Sequence, residues 1–256
     1  MVRLLREVKY LLVTLYFYII ATLYIVFYGG FVLSKAWFMK KMFKKEKEAR
    51  EYVLREIQTF GRRSFSWLFS EVVIHGKENL PDEKPFLVVA NHQSLMDIPL
   101  ILGFVETGAF IAKKELSKVP GINWYVKYLG GLFVDRGNPR QTAVVLKEAI
   151  RRLKSGICFI VFPEGTRSKD GNVQEFKPGS LILAKKAGVK ILPISIWGTY
   201  ELIPKGRILF RPGKVHLLIH PLVDPKDFKT EREMEEKIRE IIVKGVEKLR
   251  GSYPLT

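Results

Sequence analysis

The sequence predicts an α/β protein: a three-layer α/β/α sandwich around a mostly parallel or mixed sheet, preceded by an N-terminal membrane-embedded helical hairpin or span. Three observations carry that prediction. Apolar runs of strand length alternate with helical patterns over the about 195 residues beyond Gly61, enough for one sizeable domain. Polar, chemistry-bearing residues follow several of these runs directly. Ahead of them, Tyr10 to Leu33 holds 24 residues without a charge.

That uncharged stretch exceeds the roughly 20 residues needed to cross a hydrocarbon layer. Arg3, Arg6 and Lys9 precede it, and Lys35, Lys40, Lys41, Lys44 and Lys45 follow it, so the flanks show no positive-inside asymmetry. It is too long for a signal-peptide core and no small-residue cleavage site follows. Tyrosines at 10, 16, 18, 24 and 28 favour an interface. Gly29-Gly30 offers a bend into a second helix, Lys35 to Gly61, where Trp37, Phe38, Met42 and Phe43 are interleaved with lysines as in an in-plane amphipathic helix. A one-leaflet hairpin and a true span both stay open. The expected organisation is an anchoring unit over 1–61 and a catalytic domain over 62–256.

Expected strands lie near Val72 to Ile74, Phe86 to Ala90, Ala109 to Ala112, Leu132 to Val134, Ile157 to Phe162, Ile191 to Trp197, Ile208 to Phe210 and Val215 to Ile219. Asn138 and Pro139 open a helix with a core stripe of Ala143, Leu146, Ile150 and Leu153. A second helix, from about Thr230 to Leu249, turns Met234, Ile238, Ile241, Ile242 and Leu249 inward. His216 and His220 alternate with Leu218 on one strand face, as in ordinary sheet packing.

The segment Asn91-His92-Gln93-Ser94-Leu95-Met96-Asp97 follows the Phe86 to Ala90 run, and Pro99 implies a helix starting near Asp97. On one helix, residues five apart would diverge by about 140°. A loop and a helix start can instead face each other, bringing a carboxylate behind an imidazole. Such a pair performs general-base chemistry. The bland reading is an N-cap and a loop histidine.

A second polar string, Phe162-Pro163-Glu164-Gly165-Thr166-Arg167-Ser168, follows Ile157 to Val161. A third, Gly130 to Gly137, places Arg136 after a short strand, and a fourth, Ile191 to Trp197, contains Pro193. Taken in chain order, the histidine–aspartate block, the Gly130 to Gly137 block, the Phe162 to Ser168 block and the strand with Pro193 resemble the glycerolipid acyltransferase family over roughly Val72 to His220, most nearly its bacterial members that acylate 1-acyl-sn-glycerol 3-phosphate. The Phe162 to Ser168 string is the specific part, since nothing in local propensity favours that order.

The resemblance implies transfer of a fatty acyl group from a thioester to the sn-2 hydroxyl of lysophosphatidic acid, giving phosphatidic acid. His92 would then be the base and Asp97 its orienting partner, with no covalent acyl-enzyme. Arg136 and Arg167 would bind the acceptor phosphate, a task suited to planar guanidinium groups. Glu164, Gly165 and Thr166 would belong to the same acceptor site, with Lys113 as a further phosphate candidate and Pro193 as an acyl-site or structural residue. Isolated arginines would instead be surface ion pairs of little worth. Oxyanion donors are expected either at the helix start beyond His92 or around Gly165. Ser94 and Cys158 offer a ping-pong alternative, although Cys158, between Ile157 and Phe159, reads as a small buried hydrophobe.

No cofactor is expected beyond the donor substrate, acyl-CoA or acyl carrier protein. No metal is expected either, because His75, His92, His216, His220 and Cys158 have no ligand spacing. The chain's charge of +17 suits anionic headgroups or an acidic or phosphorylated donor. The uncharged run argues against nucleic acid as the partner. Expected partners are thus membrane phospholipids, lysophosphatidic acid and the acyl donor, at the cytoplasmic face of the inner membrane. Rival readings are an acyltransferase for glycerol 3-phosphate or another lysophospholipid, and a non-catalytic lipid-binding protein.

Overall fold

The computed structural model describes residues 2–106, 108–135 and 137–254. In chain order its elements are α1 (Val2–Leu23), a π-helical turn (Tyr24–Tyr28), α2 (Gly29–Phe43), α3 (Glu46–Trp67), β1 (Glu71–His75) and β2 (Phe86–Ala90). Then come α4 (Asp97–Phe104), β3 (Ala109–Lys113), α5 (Ile122–Tyr128), β4 (Leu132–Val134), α6 (Pro139–Lys154) and β5 (Phe159–Val161). The chain closes with α7 (Ile182–Ala187), β6 (Lys190–Trp197), α8 (Thr199–Leu202), β7 (Lys214–Ile219) and α9 (Glu231–Ser252).

The seven strands form one sheet in the order β1-β7-β6-β2-β5-β3-β4. Every pairing is parallel except β6 with β7. Strand β2 is central, and all five of its residues are buried because both faces are covered. Phe86, Val88 and Ala90 join a core with Ile57, Leu100 and Ile101 of α3 and α4. Leu87 and Val89 join the opposite core with Ala149, Leu153, Leu183 and Ile238 of α6, α7 and α9. This is the expected three-layer sandwich.

Pro193 sits in the interior of β6, where a missing N–H should break the ladder. Its carbonyl accepts from His220 N at 3.1 Å, so its nitrogen faces the same side. The β6–β7 register begins only at Ile194↔Ile219 and the next bridge is Ile191↔Val223. The proline therefore falls where β7 has already turned away.

Several expectations are corrected. Gly29-Gly30 does not end the helix; Arg3–Phe43 is one continuous helical rod of 41 residues, with the π-helical turn just ahead of the two glycines, and the reversal comes at Lys44, which is left-handed at φ 55°. The helix expected over Lys35 to Gly61 is thus split between α2 and α3, and α3 runs on through residue 61 to Trp67. Ile208 to Phe210 is not a strand. Its backbone bonds elsewhere, Phe210 N to the Thr14 hydroxyl and Arg211 N to Leu202 O, each at 2.8 Å. The buried stripe of α6 is Val145, Ala149 and Leu153, leaving Ala143 exposed.

Gly61 and Gly103 let α3 and α4 touch backbone to backbone. A Cβ on Gly61 would lie 2.5 Å from Pro99 O and 2.7 Å from the Gly103 backbone, so only hydrogen fits there. This contact fixes the helix whose first residue is Asp97.

Candidate active site

Because β2, β3, β4, β5 and β6 run parallel, their carboxyl ends open on one edge, the usual place for ligands in open α/β sheets. His92 follows β2, Lys113 ends β3, Phe162 to Arg167 follow β5 and Thr199 follows β6. Arg136, expected beyond β4, lies outside the described residues.

Asp97 is fully buried. One carboxylate oxygen, Oδ2, accepts His92 Nδ1 at 2.8 Å, Gln93 N at 2.7 Å and Ser94 N at 2.8 Å. The other, Oδ1, accepts the buried Thr199 hydroxyl at 2.5 Å. Four donors thus satisfy both oxygens of the buried carboxylate without a cation beside it. Its bond to Nδ1 makes Nδ1 the protonated nitrogen, so Nε2 keeps its lone pair. The His92 ring stacks on Phe162, with centroids 4.1 Å apart and planes inclined by 20°. Its side chain is 19% exposed, leaving a restricted opening for a substrate.

Neighbouring contacts fix the loop. Asn91 clamps β6 by accepting from Ile196 N at 2.7 Å and donating to Ile196 O at 2.9 Å. Ser168 N donates to His92 O at 2.7 Å, joining the loop after β2 to the loop after β5. Glu164 strengthens that joint: its Oε1 accepts His92 N at 2.8 Å and its Oε2 accepts Gln174 N at 3.1 Å. The carboxylate is turned inward and buried, and burial pushes its pKa up to about 7. The two backbone donors oppose this rise only in part.

The amides of His92, Gln93 and Ser94 are thus all committed to carboxylates. Of the two regions expected to supply oxyanion donors, the one immediately after His92 is occupied. Gly165 N in turn donates to Phe162 O at 3.1 Å. Gly165 has φ +69°, a left-handed conformation that favours glycine. Thr166 is exposed and accepts from Lys205 Nζ at 2.9 Å; Arg167 O accepts the same ammonium at 2.8 Å. The Arg167 guanidinium has no ion pair among the described residues. Lys113 is exposed and only 3.8 Å from Glu115.

Neither ping-pong candidate is poised as a nucleophile. The buried Ser94 hydroxyl donates to Ile203 O at 3.2 Å. Cys158 is buried, and that burial pushes its thiol up to about 11. The sequence reading missed Thr199, Asn91, Gln93 and Lys205. Thr199 had a signal, since Trp197-Gly198-Thr199 repeats the layout of a strand followed by a polar residue.

Comparison with known proteins agrees with this geometry. Residues 71–197 match the family model described as Acyltransferase. A 1-acyl-sn-glycerol-3-phosphate acyltransferase of Borreliella burgdorferi is 34% identical over 190 residues, covering 72% of this chain and 75% of its own. A chloroplastic Arabidopsis thaliana protein of that name is 38% identical over 154 residues, 59% of this chain and 43% of its own; the chain spans less than half the length of such chloroplast relatives. The crystal structure of the 1-acyl-sn-glycerophosphate acyltransferase PlsC from Thermotoga maritima superposes with a TM-score of 0.90 at 59% identity, covering 96% of this chain and 98% of that one. The chain belongs to the acyltransferase family. Within it, the resemblance to the bacterial glycerolipid branch, read from four short blocks, extends over nearly the whole molecule.

Proposed function

We propose that this protein transfers a fatty acyl group from an acyl thioester to the sn-2 hydroxyl of 1-acyl-sn-glycerol 3-phosphate, producing phosphatidic acid. The observation that carries the reading is the His92 Nδ1 to Asp97 contact of 2.8 Å, with Asp97 saturated by donors. His92 Nε2 removes the proton of the acceptor hydroxyl as that oxygen attacks the thioester carbonyl. The tetrahedral intermediate collapses with cleavage of the C–S bond, and the imidazolium returns its proton to the departing thiolate. Asp97 stabilises the imidazolium in between. Direct transfer is favoured over a covalent route because Ser94 and Cys158 are both engaged or buried. Arg167, with Arg136 and Lys113, carries the positive charge for the acceptor phosphate, while Glu164 holds the two loops in register. The donor, acyl-CoA or acyl carrier protein, serves as substrate and no further cofactor is required.

Residues 1–61 serve as the anchor and 62–256 as the catalytic unit. The rod Arg3–Phe43 is long and apolar enough to cross a membrane. Its packing favours the one-leaflet arrangement. Val13, Thr14, Phe17 and Ala21 are buried on one face, where Phe17 meets Phe210 with ring centroids 4.6 Å apart, and Gly29, Val32 and Ala36 are buried farther along. Leu4, Leu11, Leu15, Ile19, Leu23, Phe27 and Phe31 are left exposed. A perpendicular span would carry catalytic-domain residues into the hydrocarbon, whereas a rod lying at the surface exposes only its apolar face to lipid. The active edge then faces the cytoplasmic leaflet, where thioester donors occur.

Purified protein in mixed micelles tests the reading, with the donor fixed and the acceptor varied. Phosphatidic acid from 1-acylglycerol 3-phosphate, at a kcat/KM well above that with glycerol 3-phosphate or lysophosphatidylcholine, supports it. A preference for glycerol 3-phosphate would refute the acceptor assignment.

A further inference from the structure

The geometry points to a second membrane contact, separate from the N-terminal rod: the loop from Ile203 to Arg211, which would sit among the headgroups of an anionic phospholipid surface beside the acceptor site. The inference rests on the membrane reading given above. Arg211 N donates to Leu202 O at 2.8 Å and Arg207 N to Pro204 O at 3.0 Å, so the loop closes on itself as a compact unit. At its tip Ile208 is 73% exposed, more than any other large apolar side chain among the described residues. Arg207 beside it is exposed and has no ion pair among the described residues. An apolar tip flanked by Lys205, Arg207 and Arg211 matches an interface in which hydrocarbon begins just below a layer of negative charge.

Continuity with the anchor identifies the occupant. Phe210 packs on Phe17 and Tyr18, with ring centroids 4.6 and 5.5 Å away, and its N–H reaches the Thr14 hydroxyl at 2.8 Å. The Arg211 guanidinium lies 5.6 Å from the centre of the Tyr10 ring. The loop is therefore fastened to the uncharged rod, and its contact with the exposed Tyr18 sets it at the border of the rod's exposed face, where a surface covering that face would meet Ile208. At its other end Lys205 holds Thr166 and Arg167 O, and Ile203 O holds the Ser94 hydroxyl. One short segment thus ties the membrane-facing helix to both loops of the candidate site. Seating it in the surface would set the height of the phosphate-binding arginine at the headgroup level, where the phosphate of a lysophospholipid lies.

Site-directed fluorescence tests this. Cys158 is buried, so Ile208→Cys, Phe31→Cys and Glu247→Cys each offer one accessible thiol for an environment-sensitive dye. The probe is a phosphatidylglycerol–phosphatidylcholine vesicle carrying a doxyl quencher near the headgroup end of the acyl chain. At residue 208, as at residue 31, emission should shift to the blue and fall roughly twofold or more, while residue 247 stays unchanged. Quenching at 31 with 208 behaving like 247 would overturn this proposal and leave the anchor intact. Absence of quenching at 31 would overturn the membrane reading and the loop contact with it.

Discussion

The fully buried Asp97 accepts four hydrogen bonds among the described residues, and of these donors only His92 and the Thr199 hydroxyl come from side chains. Thr199→Val keeps the shape and removes the donor, leaving Oδ1 buried and unpaired. The expected result is a stability loss of roughly 1–3 kcal/mol, with kcat lowered, KM little changed and Thr199→Ser restoring both. Denaturant titration and steady-state kinetics check this. Glu164 yields a pH signature. Its folded pKa of about 7 lies above the ordinary 4.5, so the folded state holds its proton more tightly. Its contribution to stability is fully present below pH 4.5 and is lost as pH rises through 7, by up to about 3 kcal/mol. The difference in stability between wild type and Glu164→Gln should therefore change across that window, and a difference independent of pH would contradict the burial argument. His92 and Asp97 were legible because a strand, a loop and Pro99 determine where each points. Glu164 was not, since its inward turn depends on Gln174, ten residues on. Thr199 follows β6 as polar residues follow the other strands, but its meeting with Asp97 across 102 positions is set by the order of strands in the sheet and not by its local sequence.

At the level of elements, the site depends on α4 being held close to α3. Gly61→Val would drive a side chain into Pro99 O and the Gly103 backbone, and overpacking of this kind typically costs about 1–3 kcal/mol. Since α4 begins at Asp97, turnover should fall further than stability alone explains, measured at a temperature where the variant is still folded. An unaltered kcat would mean that Asp97 does not depend on this contact. The strands at the sheet centre were readable from sequence because runs such as Phe86 to Ala90 are buried on both faces and bounded by polar loops. Ile208 to Phe210 misled for a physical reason: Phe210 is apolar to fit α1, and Ile208 is apolar although exposed. The turn at Lys44 was equally obscure, because a left-handed lysine competes poorly with Gly29-Gly30 as a bend signal.

The whole molecule couples a chain of charge +17 to an apolar rod. Raising salt from 0.1 to 1 M shortens the screening length from about 10 to about 3 Å. Affinity for phosphatidylglycerol vesicles should drop while the protein stays bound through the rod, as co-sedimentation would reveal; complete release would mean that charge alone holds it. His92, oriented by Asp97, is the proposed base for acyl transfer to lysophosphatidic acid. The most direct measurement compares phosphatidic acid formation by wild type, His92→Ala and Asp97→Asn in mixed micelles, with thermal unfolding showing that each is folded. Folded His92→Ala should lose about 10²- to 10⁴-fold in kcat, and Asp97→Asn should fall between it and wild type. Undiminished turnover by folded His92→Ala would contradict this role for His92.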